Sequence, residues 1–253
     1  MTDYIKQTEQ ALYDYLPDLN CREKELIESM KYSLEAGGKR VRPNLVFSFN
    51  ELCNGKTEVA VPFACAVEMI HTYSLVHDDL PAMDNDEYRR GRKTTHVVFG
   101  EDMGILAGDA LLNYAYETAV KGVMAAKDKD SAVKALEILA KKAGITGMVG
   151  GQVVDVELTG KKPDKDQLDF IFRLKTGALL EASLMVGAAL AGADEKDIEL
   201  MEKAGLNIGM AFQIQDDILD VTSTTSELGK PVHSDEKNDK ITYVSLYGIE
   251  KAH

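Results

Sequence analysis

Apolar residues recur along this chain at the three- and four-residue spacing of helices. Leu12, Tyr15 and Leu16 make one face; Leu26, Met30 and Leu34 make another. From Val59 to Val76 the chain is rich in Ala, Val, Met and Leu with few charges, which suits a helix buried nearly all round. Further helical segments are predicted over 100–122, 130–147, 165–191 and 195–221. No convincing run of alternating strand positions is present. Breakers fall between the blocks, at Gly37-Gly38, Gly91, Gly160, Gly192 and Gly229. The pattern predicts an all-α fold, a single large helical bundle forming one domain over residues 1–253. The longest polar, breaker-rich segment runs from Thr222 to Lys240 and reads either as a surface loop or as a lid.

Charge narrows the partners. With 42 acidic and 29 basic side chains the net charge is −13, and its long-range field opposes nucleic acid and anionic membranes. A local basic pocket remains compatible with that balance. Cys21, Cys53 and Cys65 show no paired spacing, so a reducing cytoplasm is expected rather than a zinc module or disulfide framework. The histidines form no His-Glu-x-x-His pattern, and the N-terminus lacks the order of a signal peptide. No apolar stretch is expected to reach the roughly 18 residues that span a bilayer.

Two acidic clusters interrupt the apolar pattern. In the stretch from His71 to Asp86, positions 71, 74 and 78 share a helix face, so His71, Ser74 and Asp78 line up. Asp79 follows, Pro81 disfavours continuation, and Asp84 and Asp86 sit on the next turn. In the second stretch Gln213, Asp216, Asp217 and Asp220 form one continuous helix face. Stacked carboxylates on apolar helices repel one another and resist desolvation, so a positive partner is required. Mg²⁺ fits, because it takes a few carboxylates and completes its shell with water and substrate phosphates. The bland alternative is two solvated acidic turns.

Cations sit near these acids in short groups. Lys39, Arg40 and Arg42 follow a glycine pair that permits close backbone approach. Arg89, Arg90, Arg92 and Lys93 follow the first cluster. Arg173 and Lys175 lie in an apolar helical stretch where an unpaired Lys would be costly, and Lys230 and Lys240 bracket the polar loop. Such groups in an acidic protein call for a substrate with condensed phosphates, and for two of them.

Together these motifs resemble the trans-isoprenyl diphosphate synthases, of the bacterial farnesyl diphosphate synthase type. The resemblance rests on Gly37-Gly38-Lys39-Arg40-x-Arg42-Pro43, Glu68 through Asp84, Arg89-Arg90-Gly91, Leu106 through Asp109, Lys175-Thr176-Gly177 and Phe212 through Asp220. It implies an all-α fold around a central cavity, and head-to-tail addition of isopentenyl diphosphate to an ionised allylic diphosphate. It further implies that Asp78, Asp79 and Asp84 bind Mg²⁺ on one side of the allylic diphosphate. Asp216, supported by Asp217 and Asp220, serves the metal on the other, with three ions in all. Arg89, Lys175, Lys230 and Lys240 would hold the allylic diphosphate. Lys39, Arg42, His71 and Arg90 would hold isopentenyl diphosphate, His71 being otherwise a core histidine. Thr176 and Gln213 would aim oxygen dipoles at the developing cation.

The mechanism needs no side-chain nucleophile. The growing tail is expected to run down the helix that carries Asp78. Tyr73 lies five residues back, about 7.5 Å along the axis, and its ring could floor the tunnel beside the small Ser74. Such an aromatic resembles the fifteen-carbon bacterial type. A geranylgeranyl-type synthase shares all of this chemistry. A class I terpene cyclase is disfavoured, since its second metal motif would be Asn/Ser/Glu. A non-catalytic synthase subunit is disfavoured because neither acidic motif is lost. The resemblance also implies a cytoplasmic homodimer. The chain stops at His253 where relatives usually continue for one or two helices, so the last helices are expected to be missing.

Overall fold

The structure, a computed structural model, describes residues 3–161, 164–222 and 242–252. It is 77% helical and 2% strand, so the expected all-α class holds. The helices are α1 (Tyr4–Tyr15), α2 (Lys24–Leu34), α3 (Val41–Leu52), α4 (Thr57–Asp78), α5 (Thr95–Phe99), α6 (Glu101–Ala125) and α7 (Lys129–Ala143). They continue with α8 (Met148–Leu158), α9 (Lys165–Ile171), α10 (Ala178–Leu190), α11 (Glu195–Thr222), α12 (Tyr243–Tyr247) and α13 (Ile249–Ala252). Lys230 and Lys240 lie outside the described residues, as does most of the polar loop predicted over 222–240.

The chain divides into two compact units. One comprises Met1–Ala140 with Ser183–Met201, the other Lys141–Ala182 with Glu202–His253.

The core of the first unit is α4. Ala60, Phe63, Ala64, Cys65, Ala66, Val67, Met69 and Ile70 are all fully buried, as its nearly charge-free sequence predicts. At 22 residues α4 is long and apolar enough by composition to cross a membrane, which corrects the expectation that no stretch reaches that length. Most of it is covered by protein: 72% of its most apolar stretch is buried, the pattern of a core helix. The long helix α6 lies close against it. At Gly108 an added Cβ would meet His77 Nε2 at 2.1 Å, and the His77 ring contacts Ile105 O at 3.1 Å. Burying one large side chain such as Phe63 contributes about 1.5–3 kcal/mol, so this face supplies much of the unit's stability.

One element has no counterpart in the apolar pattern. Residues Tyr88–Arg89 (β1) and Arg92–Lys93 (β2) pair antiparallel as a small hairpin. Its two turn residues, Arg90 and Gly91, have φ of 53° and 75°, the left-handed pair that a two-residue hairpin demands. Tyr32 and Arg92 fasten it to the end of α2. The Arg92 guanidinium lies 4.4 Å from the Tyr32 ring and donates to Glu35 O, while Tyr32 OH donates to Lys93 O.

In the second unit the helix predicted over 165–191 is interrupted. Asp164 and Gln167 form a capping box that starts α9. A six-residue π-helix, Phe172–Gly177, then separates α9 from α10. Leu168, Ile171 and Phe172 form a buried cluster against Val154, Leu158, Met210, Tyr243 and Leu246. Glu181, 1% exposed, is held by Lys142, which also reaches Glu202.

Candidate active site

In the first unit the site grows from the end of α4. The helix stops at Asp78, and the chain folds back so that the Asp84 N–H donates to Asp78 O at 2.9 Å. That bond returns the Asp84 backbone to the helix end that carries Asp78. Both are partly exposed. Asp79 is placed differently. It is 4% exposed, and Arg89 Nε donates to both of its carboxylate oxygens, at 2.7 and 3.0 Å. Burial raises the Asp79 carboxyl above its ordinary value, and the Arg89 charge offsets this only in part.

The basic residues gather around His71, one face of α4 back from Asp78. Burial first, and then the positive charges of Arg42, Arg90, Arg89 and Arg40, hold its imidazole well below the ordinary 6.5. At neutral pH the ring is therefore uncharged, a hydrogen-bonding group set among guanidiniums. Arg90 projects from the hairpin tip and donates to Gly37 O. Gly38, at φ 140°, sits in backbone that an L side chain rarely adopts, with the Arg90 guanidinium directly over it. Arg42 opens α3. Burial lowers its guanidinium to about 10, and its Nε is a buried donor with no hydrogen-bond partner among the described residues. Arg40 Nε is in the same state, but Arg40 has a carboxylate partner in Glu68 and Arg42 has no ion pair among the described residues, which suits Arg42 to an incoming anion. Lys39 is exposed on the loop before α3. Arg40 belongs to the frame instead: it is 4% exposed and donates to Glu68 Oε1 at 2.6 Å and Leu34 O at 2.7 Å.

Tyr73, 6% exposed, lies on α4 with its ring edge-on to His77 at 5.7 Å. Burial, with smaller contributions from Tyr116 and Asp78, pushes its hydroxyl up to about 12. Ser74 is partly exposed and donates to His71 O.

The second unit holds its own cluster. Two neighbouring polar side chains of the π-helix reach different helices. Lys175 Nζ donates to Asp155 Oδ2 on α8 at 2.6 Å. Thr176 Oγ1 donates to Gln213 Oε1 on α11 at 2.9 Å. Gln213 Nε2 in turn donates to Asp217 Oδ1, and the Tyr243 N–H donates to Asp217 Oδ2. Asp217 and Asp220 are both 2% exposed, whereas Asp216 is partly exposed. Within its own unit, the structure thus brings together Thr176, Gln213 and Asp217 on shared hydrogen bonds, and holds Lys175 by a separate one to Asp155.

The donor sets fit Mg²⁺. Each unit offers partly exposed carboxylates on or beside a helix, and among the described residues no cluster of cysteine or histidine joins them, which is hard-cation chemistry. Among the described residues no three His, Cys, Asp or Glu side chains converge into an all-protein cage. Mg²⁺ that shares its shell with water and phosphate needs none.

Sequence reasoning missed two residues here. Asp155 is the counter-charge that the apolar setting of Lys175 called for, and the signal was a lone Asp in the valine-rich run from Val149 to Val156. Glu68, 3% exposed, holds Arg40; nothing in its spacing pointed to a partner 28 residues away.

Comparison with known proteins shows the family. The polyprenyl synthetase family model matches residues 23–253. The chain is 51% identical over 231 residues to a geranylgeranyl diphosphate synthase of Cyanophora paradoxa, covering 90% of this chain and 76% of that one. It is 46% identical over 252 residues to the farnesyl diphosphate synthase of Geobacillus stearothermophilus, covering 100% and 84%. Against the chloroplastic geranylgeranyl pyrophosphate synthase of Catharanthus roseus identity is 52% over 229 residues, and the match covers 89% of this chain but only 63% of that relative's length. A geranyltransferase from Helicobacter pylori, solved with magnesium and isoprenyl diphosphate, superposes with a TM-score of 0.88 at 32% identity, covering 100% of this chain and 86% of that one. The chain therefore belongs to the polyprenyl synthetase family, the trans-prenyl diphosphate synthases, and is by class a transferase.

Proposed function

We propose that this chain condenses isopentenyl diphosphate head-to-tail with dimethylallyl and then geranyl diphosphate, giving farnesyl diphosphate. The observation that carries this reading is the neutral His71 among Arg42, Arg89 and Arg90, on the same helix that ends in Asp78. It joins an anion cradle to a pair of cation-type carboxylates. The similarity to synthases named for farnesyl and for geranylgeranyl products supports the condensation chemistry for both lengths.

In this reading Asp78 and Asp84, and likewise Asp216, are the Mg²⁺ ligands that serve the allylic diphosphate, three ions in all, in the roles that the resemblance implies. The ions supply the charge neutralisation that makes diphosphate a leaving group. The chain's own residues do the rest. Arg89, fixed by Asp79, and Lys175 hold the allylic diphosphate; Lys230 and Lys240 join them in the role that the resemblance implies. Asp79 serves as a positioning residue for Arg89, because its carboxylate is already engaged. Lys39, Arg42, Arg90 and neutral His71 hold isopentenyl diphosphate. Thr176 and Gln213 present oxygen dipoles to the cation that develops on the allylic carbon. The last proton leaves to the released diphosphate, so no protein base is required. Asp217 and Asp220, both buried, brace α11 behind Asp216. The resemblance also supports a homodimer.

Tyr73 sets the product at fifteen carbons. Its buried ring, 5.7 Å from His77, is the bulky group on the Asp78 helix that a longer tail would meet. The test is an assay of isopentenyl with geranyl diphosphate, with and without Mg²⁺, scored by product length. The expected result is a fifteen-carbon product from the native chain and longer ones from Tyr73→Ala. A twenty-carbon product from the native chain would favour the geranylgeranyl reading. No Mg²⁺-dependent product would overturn the enzymatic one.

A further inference from the structure

We infer that Asp155 is a positioning residue for the reaction, acting through Lys175; the inference rests on the proposed role of Lys175 at the allylic diphosphate. The argument begins with a fixed backbone. At Gly151 on α8 an added Cβ would lie 2.2 Å from Lys175 N and 2.7 Å from Leu174 C, so α8 is in contact with the main chain of the π-helix. Asp155 lies one helical turn further along the same face of α8. Its carboxylate takes the Lys175 ammonium at 2.6 Å. One helix therefore holds Lys175 at both ends, root and tip.

A lysine on a flexible four-carbon stem loses rotamer freedom when it is fixed. Asp155 imposes that cost before any substrate arrives, which is preorganisation. The pair is not sealed: the two side chains are 24% and 20% exposed, so the ammonium remains open to a second anion. Lysine has three N–H donors, and Asp155 engages one, leaving capacity for phosphate oxygens. A purely structural salt bridge would have no use for that geometry on a π-helix, whose next residue, Thr176, is tied to Gln213.

The test compares Asp155→Asn, Asp155→Glu, Lys175→Ala and the double variant Asp155→Asn/Lys175→Ala. Steady-state kinetics with geranyl and isopentenyl diphosphates are paired with calorimetric affinity for geranyl diphosphate in Mg²⁺. Asp155→Asn is expected to lower kcat/KM for geranyl diphosphate by about ten- to hundredfold, the scale of a misplaced binding group. KM for isopentenyl diphosphate stays unchanged, and Asp155→Glu restores part of the loss. In the Lys175→Ala background Asp155→Asn adds nothing to the loss of affinity or rate. Wild-type kinetics from Asp155→Asn would overturn the proposal, as would an equal loss in the Lys175→Ala background or equal effects on both substrates. Absence of any product from the native chain would instead overturn the underlying assignment of function, and the proposal with it.

Discussion

Arg40 and Arg42 are two residues apart and are used in opposite ways. Arg40 sits in left-handed backbone at φ 47°, buried, with its two Nη groups taken by Glu68 and Leu34 O, although its Nε, like that of Arg42, has no hydrogen-bond partner among the described residues. Arg42 is half-buried with an unpartnered Nε. Removing Glu68 leaves a buried charge without its counter-ion, so Glu68→Ala is expected to cost about 3–5 kcal/mol in urea unfolding. Arg42→Met removes a donor that lacks a partner and should leave stability nearly unchanged, while weakening isopentenyl diphosphate binding. Equal stability losses in the two variants would remove the distinction. His71 adds a pH signature. Its folded pKa lies below the ordinary 6.5, so below that pH the unfolded chain binds more protons than the folded one. Stability carried by neutral His71 is complete above about 6.5 and is lost as pH falls toward the lowered folded value. Unfolding free energy measured from pH 7 to 5 should therefore decline less in His71→Gln than in the native chain. Spacing along one helix was enough to place His71, Ser74 and Asp78 on a face. It could not tell Arg40 from Arg42, because their difference comes from Glu68 and Leu34 on other elements.

At the scale of elements, long helices with one chemical character were legible and short corrections to them were not. The run from Val59 to Val76 became α4, and 195–221 became α11 within a residue at its C-terminal end. The predicted helix over 165–191 was broken by the π-helix, since one extra residue in a turn leaves the apolar spacing almost unchanged. The hairpin was missed because strands of two residues have no room for alternation; Arg90-Gly91 was its only trace. Both missed elements carry candidate site residues: Arg90 at the hairpin tip, Lys175 and Thr176 on the π-helix. The π-helix makes a prediction of its own. Gly151→Ala places a methyl 2.2 Å from Lys175 N, which is backbone and cannot swing aside as a side-chain tip would. Overpacking of this kind costs about 1–3 kcal/mol. Because the strain falls on the turn that aims Lys175 and Thr176, activity should fall further than the lost stability accounts for at a temperature where the variant is still folded. A variant with reduced thermal stability and native kcat/KM would show that the turn tolerates displacement.

At the scale of the whole molecule, charge explains why so acidic a chain can take anionic substrates. Of its 42 acidic residues, Asp78, Asp79, Asp84, Asp86, Asp216, Asp217 and Asp220 fall in the two clusters. Asp79 is paired with Arg89, and Asp217 accepts hydrogen bonds from Gln213 and the Tyr243 backbone. Asp78, Asp84 and Asp216 stay partly exposed at their helix surfaces. Cations and diphosphate that bind there bind the folded chain and not the unfolded one, so they must stabilise it. At one hundred times the dissociation constant the gain is about 2.7 kcal/mol, enough to raise Tm by several degrees. The expected pattern is specific. Mg²⁺ with a thio-analogue of geranyl diphosphate raises Tm in the native chain, and EDTA cancels the rise. Asp78→Asn and Asp216→Asn each lose most of the increment, measured from the variant's own unliganded Tm. If either variant kept the full increment, that carboxylate would hold no metal, and the chemistry assigned to its unit would have to rest on the guanidinium and ammonium groups alone.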